Sequence, residues 1–314
     1  MATLSKDTPN IILAQKSKLN FKPLTIKDIP RIYSILRKSG YRTCDYSIGG
    51  IYMWKDYFNY EFCIYLDTLF IKGLSEADRH VPAFSLPIGG DFKSGIDLLV
   101  EYCRENQCKL LLSAVPESAI EELEKYGFSN PLPLFSWSDY LYDINCLASL
   151  TGKAYNKKRN HVNRFMSENP DWTLETLTPD NSTQVIDFHN KLAIGTKADQ
   201  AMATYENNAC LDVLKNFEHY PFEGAILRDS QGKIVAYTIG EIIGDTLILH
   251  IEKMNHEING AGETINKLFA ASMQRLHPTL KYINREDDAG DPGLRKAKES
   301  YHPCALLKKF DISM

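Results

Sequence analysis

Apolar positions recur along the chain at two periods. Helical spacing over Ile26–Lys38 puts Ile29, Ile32, Ile35 and Leu36 on one stripe, and Gly40 stands where such a helix ends. A polar lead-in over residues 1–20 and a short strand, Phe21–Thr25, precede it. Ser47–Tyr57 reads as a second helical stretch rich in aromatics, whose group around Trp54 is expected to be core. The runs FCIYL and LFIKGL flank Leu66-Asp67-Thr68 as arms of a hairpin over Glu61–Gly73. Ala83–Ile88 is a further strand. Gly89-Gly90-Asp91 then turns into a helix with Ile96, Leu99, Val100 and Cys103 on one face. Lys109–Ala114 has the continuous apolar character of a buried strand. Pro116 opens a helix that runs to Tyr126 and closes at Gly127.

Pro131 and Pro133 are expected to break regular structure. A strand over Phe135–Tyr142 follows, then a long helix over Lys153–Ser167, a strand over Trp172–Leu177 and a helix over Thr183–Ala193. Residues 194–208 read as a loop with a weak helical signal and Cys210–Phe217 as helical. A meander comes next: Gly224–Arg228, Lys233–Glu241 and Thr246–Met254, turned at Asp229–Gly232 and Gly244-Asp245. A glycine-containing loop leads into a helix over Glu263–Gln274. Lys281–Asn284 is a strand, Pro292–Tyr301 a helix and Leu306–Ile312 a last strand.

Helices, three-strand meander, glycine loop, helix, strand, helix and strand follow one another in the order of a GNAT-type acyltransferase domain. The first half repeats that order in blurred form. The expected fold is α/β (α+β), with two tandem GNAT-like domains at 1–134 and 135–314. Each would be a mixed, mostly antiparallel sheet flanked by helices. There is no repeat in the sequence itself, so the tandem arrangement rests on element order.

Composition fits that picture. The chain has 314 residues, room for two ordinary domains, and 11% aromatics, more than a disordered chain carries. A net charge of −4 argues against a general nucleic-acid or anionic-membrane binder, so any polyanion site must be a local patch. Seven cysteines without a CxxC pair or histidines at ligand spacing read as reduced thiols of a cytoplasmic protein, with neither disulfide nor metal expected. No run approaches the roughly 18 apolar residues of a membrane span, and the start lacks the apolar core of an export signal.

Three segments carry candidate chemistry. In the loop Asn259, Gly260, Ala261 and Gly262, small residues precede a helix N-terminus. This arrangement suits an anion or serves as a plain turn. Glu257 sits where a coenzyme A pyrophosphate would lie, which disfavours that cofactor. The basic run Lys157-Lys158-Arg159-Asn160 is the second segment. Arg159 shares the stripe of Tyr155 and Val162, and Asn163 lies on a neighbouring face with Asn160. A solvated charged helix is the plain alternative. The third runs from Asn284 to Tyr301. There Arg295 and Lys298 could hold an anion, while Glu286 or Asp288 takes an amine, or the whole could be dipole compensation and ion pairing. Glu252 and His250 point the same way on the third meander strand, and either could act as a base, with a carboxylate simply facing solvent as the plain alternative.

The segments DYLYD (139–143), GKAYNKKRN (152–160), NREDDAG (284–290) and GLRKAKESYHP (293–303) together resemble a bacterial family related to the catalytic domain of phosphatidylglycerol lysyltransferase. The resemblance implies a tandem GNAT fold. It also implies kinship with enzymes that move an aminoacyl group from tRNA to a lipid or a peptidoglycan precursor, without coenzyme A. It places Lys157, Lys158, Arg159, Asn160, Arg285, Glu286, Asp288, Arg295 and Lys298 at the active site, with Tyr301 beside them and no cofactor. The function expected is an aminoacyl- or acyl-group transferase. The alternatives are an acyl-coenzyme A-dependent N-acyltransferase and a non-catalytic module that holds RNA or a phosphorylated ligand.

Overall fold

The computed structural model describes residues 18–193 and 201–314, so most of the polar lead-in lies outside it. The first unit runs β1 (Lys22–Pro23), α1 (Ile29–Leu36), β2 (Glu61–Tyr65), β3 (Thr68–Leu74), β4 (Pro82–Phe84), α2 (Phe92–Glu105), β5 (Leu111–Pro116), α3 (Ile120–Glu124) and β6 (Ser129–Pro133). The second begins with β7 (Asp139–Asp143), α4 (Ile144–Ser149), α5 (Asn156–Glu168), β8 (Thr173–Thr176), α6 (Pro179–Ala193) and α7 (Ala201–Lys215). It continues with β9 (Phe222–Arg228), β10 (Ile234–Ile243), β11 (Thr246–Met254), α8 (Ala261–Leu276), β12 (Tyr282–Asn284), α9 (Pro292–Glu299), β13 (Ala305–Leu307) and β14 (Lys309–Ser313). Helix starts follow from capping. The Asp91 side chain accepts from the Ser94 N–H at α2, and Asp291 does the same for Leu294 at α9, with Pro292 at the first position.

Four expectations need correction. Ser47–Tyr57 is not a long helix but a π-helical turn, Gly49–Met53, followed by turns. Pro131 and Pro133 do not break the structure. They lie in β6 at a sheet edge, where a strand tolerates a missing N–H. Of the loop expected over 194–208, residues 194–200 are outside the described residues and 201–208 are helical. The last strand is two strands, and they belong to different sheets.

Each sheet has seven strands. The first has the order β1-β2-β3-β4-β5-β14-β6 and the second β13-β7-β12-β11-β10-β9-β8. Both are antiparallel except for one parallel pair, β4/β5 in the first and β11/β12 in the second. The strand beside that pair is exchanged between the units. β14, from the end of the second unit, sits between β5 and β6, while β7, which follows β6 in sequence, sits between β12 and β13.

Burial continues across the exchange. The largest core cluster joins Leu69, Phe70 and Leu112 of the first sheet to Val213 on α7 and to Tyr237 and Ile251 of the second sheet. The opposite face of the second sheet packs on α4 and α8 through Leu147, Phe269 and Met273. Polar contacts cross between the units as well. Arg42 makes a two-pronged pair with Asp245 at 2.9 and 3.0 Å, and the Tyr33 hydroxyl donates to the Ile242 carbonyl. Among the described residues no helix is long and apolar enough to cross a membrane.

Candidate functional site

The parallel pairing of β11 with β12 ends at Ile248 and Asn284. Beyond that point β11 continues to Met254 while the chain after Asn284 turns away. A cavity of about 620 Å³ opens in the gap, which lies at the carboxyl end of both strands. The second unit contributes polar groups and the first contributes much of the apolar wall: Met53, Trp54, Phe58 and Tyr60, joined by Trp137. The ring of Phe58 stacks on Tyr60 and meets Trp137 edge-on. The aromatic group around Trp54 is therefore a cavity wall, not core alone.

The basic wall is Arg285 with Lys158. The Arg285 Nε donates to Glu252 at 2.8 Å, and its guanidinium lies over the Tyr301 ring at 4.7 Å. Its Nη1 is buried and has no hydrogen-bond partner among the described residues. Burial opposes its charge, yet Glu252 outweighs that cost and the pKa stands above its ordinary value. Asn266 steadies the other oxygen of Glu252 at 3.0 Å. The Lys158 ammonium sits 3.9 Å from the centre of the same Tyr301 ring and 3.5 Å from Glu263. Burial, with Arg285 nearby, pushes its pKa down despite Glu263.

Opposite stands Glu286. Its φ is +56°, a conformation that costs a non-glycine residue of order 1–3 kcal/mol and persists where surroundings enforce it. The Asn284 side chain accepts from its N–H, and its carbonyl accepts from the Tyr140 N–H. Its carboxylate accepts from Nδ1 of His250 at 2.8 Å. The other ring nitrogen of His250 meets Glu241 at 3.2 Å. Burial disfavours a charged imidazole, but the two carboxylates reverse that and raise the pKa to about 9. At neutral pH His250 is an imidazolium donating both N–H groups, so it is not itself a free base. It is buried on β11.

Below lies a second polar cluster, where the exchanged strands start. The Lys309 ammonium on β14 is fully buried, 2.8 Å from Asp139 on β7, 2.8 Å from Asp45 and 3.3 Å from the Cys44 sulfur. Cys44, Asp139 and Asp287 bring ligand-type atoms within 4.8 Å of one another, and the protein's own ammonium stands among them. Burial raises the Asp287 pKa to about 7, with Lys309 opposing. Glu76 is pushed well above the carboxylate range by burial and by Asp45.

Several residues expected at the site do other work. Lys157, Asn160 and Asn163 are exposed on α5. Arg159 turns inward as its stripe position suggested, but it meets the carbonyls of Leu150 and Gly152 and the Asn156 side chain beyond the end of α4. Arg295 is clasped by Asp288 at 2.8 and 2.9 Å and does not border the cavity. Burial opposes ionisation of Asp288, but hydrogen bonds from Arg295 and Tyr140 outweigh it and hold its pKa at about 2. Lys298 borders the cavity with its ammonium on the carbonyls of Arg285 and Asp287. It therefore shapes the loop that carries Arg285 and Glu286.

The glycine loop is crowded. Gly260 has φ +81°, and a Cβ there would stand 2.2 Å from the His161 carbonyl oxygen of α5; one on Gly262 would meet the Met254 sulfur at 2.2 Å. The glycines admit neighbouring chain, and the first turn of α8 presents Gly262 and Glu263 to the cavity. Asn259 and Glu257 are exposed outside it.

A family model described as phosphatidylglycerol lysyltransferase, C-terminal, matches residues 36–312. Among solved structures, a conserved protein of unknown function from Bacteroides thetaiotaomicron VPI-5482 is 32% identical over 94% of this chain and 99% of its own, with a TM-score of 0.85. The structure of L-PGS from Bacillus licheniformis superposes with a TM-score of 0.67 at 13% identity, covering 95% of this chain and 93% of that one. FemX gives a TM-score of 0.59 at 9% identity over 93% and 97%. At such identities the last two establish shared fold alone. No curated protein sequence matches the chain significantly.

Proposed function

From the premise that the chain belongs to the phosphatidylglycerol lysyltransferase C-terminal family, we propose that it transfers an aminoacyl group from an aminoacyl-tRNA to a nucleophilic acceptor. One observation carries the reading: Arg285, at the cavity wall beside Lys158, presents a buried donor that has no partner among the described residues. A desolvated guanidinium of that kind suits an ester carbonyl whose oxygen becomes an oxyanion during transfer, because donors fixed in advance need no reorganisation. In this scheme the acceptor's oxygen or nitrogen attacks the ester carbon. Arg285 and Lys158 stabilise the oxyanion, Glu286 takes the acceptor's proton, and the 3′-terminal ribose oxygen of the tRNA leaves with that proton as the ester bond breaks; in the alternative the proton passes straight from acceptor to ribose oxygen while Glu286 steadies the donor's ammonium group. The apolar part of the acceptor packs on Trp54, Phe58 and Trp137. A lipid or a peptidoglycan precursor fits that description.

The scheme needs no coenzyme A, and the crowding of Gly260 by α5 supports leaving it out. Purified protein is mixed at low salt with tRNA charged with each amino acid in turn. Loss of the aminoacyl ester should depend on the protein and weaken steeply as salt rises. If no charged tRNA binds or is discharged, the proposal fails. Clear thermal stabilisation by coenzyme A would favour the acyl-coenzyme A transferase instead. If Arg285→Ala abolished binding in a protein that never transfers, the chain would be a binding module.

A further inference from the structure

Glu241 does not border the cavity. It is fully buried on β10, and its two oxygens accept from the backbone N–H groups of Ile48 and Gly49 at 3.0 Å each. Those amides belong to the first unit, at the start of its π-helical turn. The same carboxylate meets Nε2 of His250, whose Nδ1 meets Glu286. Gly49 lies flat against the imidazole, and a Cβ there would stand 2.3 Å from its ring atoms. Phe222 covers the ring from β9 at 5.3 Å. Among the described residues, the charged groups bonded to His250 are Glu241 from β10 and Glu286 from the loop after β12. Gly49 and Phe222 add none.

We propose that Glu241 is a positioning residue: anchored by the first unit's amides, it clamps His250, and His250 fixes the Glu286 carboxylate at the cavity wall for the transfer step. The first unit thus acts on the chemistry through a line of three side chains, Glu241, His250 and Glu286. The backbone of Glu286 adopts a conformation that favours glycine. The clamp supplies a side-chain reason for it to stay there. A carboxylate held this way keeps its place when the substrate enters, and transfer loses rate when such a group drifts by about 1 Å. The part played by Glu286 rests on the function proposed above, but the clamp itself does not.

The test is nitrogen NMR of the histidine rings in the full chain, with the transfer assay beside it. In the wild type both ring nitrogens of His250 should carry protons at pH 7.5 and titrate near pH 9, as its raised pKa requires. Glu241→Gln should bring that titration down by more than one pH unit, toward the ordinary histidine range. It should lower kcat about 10–100-fold with donor affinity within about two-fold, and move the alkaline limb of the rate profile the same way. Glu241→Asp, which keeps the charge, should recover part of the loss. Gly49→Ala, which leaves every charge in place, should lower kcat by displacing the ring. A neutral His250 at pH 7.5 in the wild type would overturn the clamp, even if every variant failed to fold. An unmoved titration and rate profile in a folded Glu241→Gln protein would do so too. A wild type that titrates near 9 but transfers nothing would overturn the proposed function and leave the clamp standing.

Discussion

Replacing Lys309 by methionine removes the cation that pairs with both Asp45 and Asp139. The ammonium lies 2.8 Å from each carboxylate with no exposure to solvent. At that distance each pair is worth about 6 kcal/mol at an effective dielectric of about 20. Burying the ions costs several kcal/mol apiece, so the sum is not a net stability. What is measured on removing one partner is the charge left behind, typically about 3–5 kcal/mol. Against a total folding stability of roughly 5–15 kcal/mol this is a large fraction, and it should lower Tm on the order of 10 °C. The assay is urea unfolding at pH 7.5, followed by circular dichroism and by the fluorescence of Trp54, Trp137 and Trp172. Because Lys309 stands on β14 and Asp139 on β7, both sheets should weaken together and the two signals should move as one. A loss under about 1 kcal/mol, or two signals that separate, would refute the reasoning.

Other substitutions test other parts. Arg285→Lys keeps a charge but loses the second donor and the stacking on Tyr301; transfer should fall about 10²–10³-fold while circular dichroism stays unchanged. Arg295→Ala should leave donor affinity in a filter-binding assay within about two-fold, since its guanidinium serves Asp288. Asp287 has a folded pKa of about 7, above its unfolded value near 4. Its favourable contribution is complete below about pH 4 and is lost as pH rises through 7, so Asp287→Asn should flatten the decline of Tm between pH 5 and pH 8. Gly260→Ala forces a Cβ toward the His161 carbonyl at a positive φ, and should cost about 1–3 kcal/mol in chemical denaturation.

Local pattern revealed much of this molecule. The meander β9–β11, the helix after the glycine loop and the cap at Asp291 all follow from periodicity and capping chemistry. His250 and Glu252 shared a strand face in the sequence and share the cavity in the structure. Glu286 was singled out because charged residues cluster at a strand-to-helix junction, whereas Arg285 entered through the family resemblance. What stayed hidden depends on partners distant in sequence. Nothing near Lys309 announces that residues 45 and 139 will neutralise it, and nothing near Glu241 announces the amides of Ile48 and Gly49. Arg159 shows the limit of stripe reasoning: its inward direction was legible, but backbone carbonyls, not a ligand, receive it. The last strand read as one because a single residue, Lys308, separates two strands that enter different sheets.

The exchange of β7 and β14 also bears on how the chain is made. In the first sheet β6 pairs, among the described residues, only with β14, and β5 needs β14 on its open side. A ribosome therefore delivers nearly all of the first unit while one of its inner positions is still vacant, and the vacancy persists until residues 309–313 appear. Through most of synthesis the edges of β5 and β6 are open to wrong partners. Loss of only those five residues would spare every group at the cavity wall, yet it would strike the half of the protein made first.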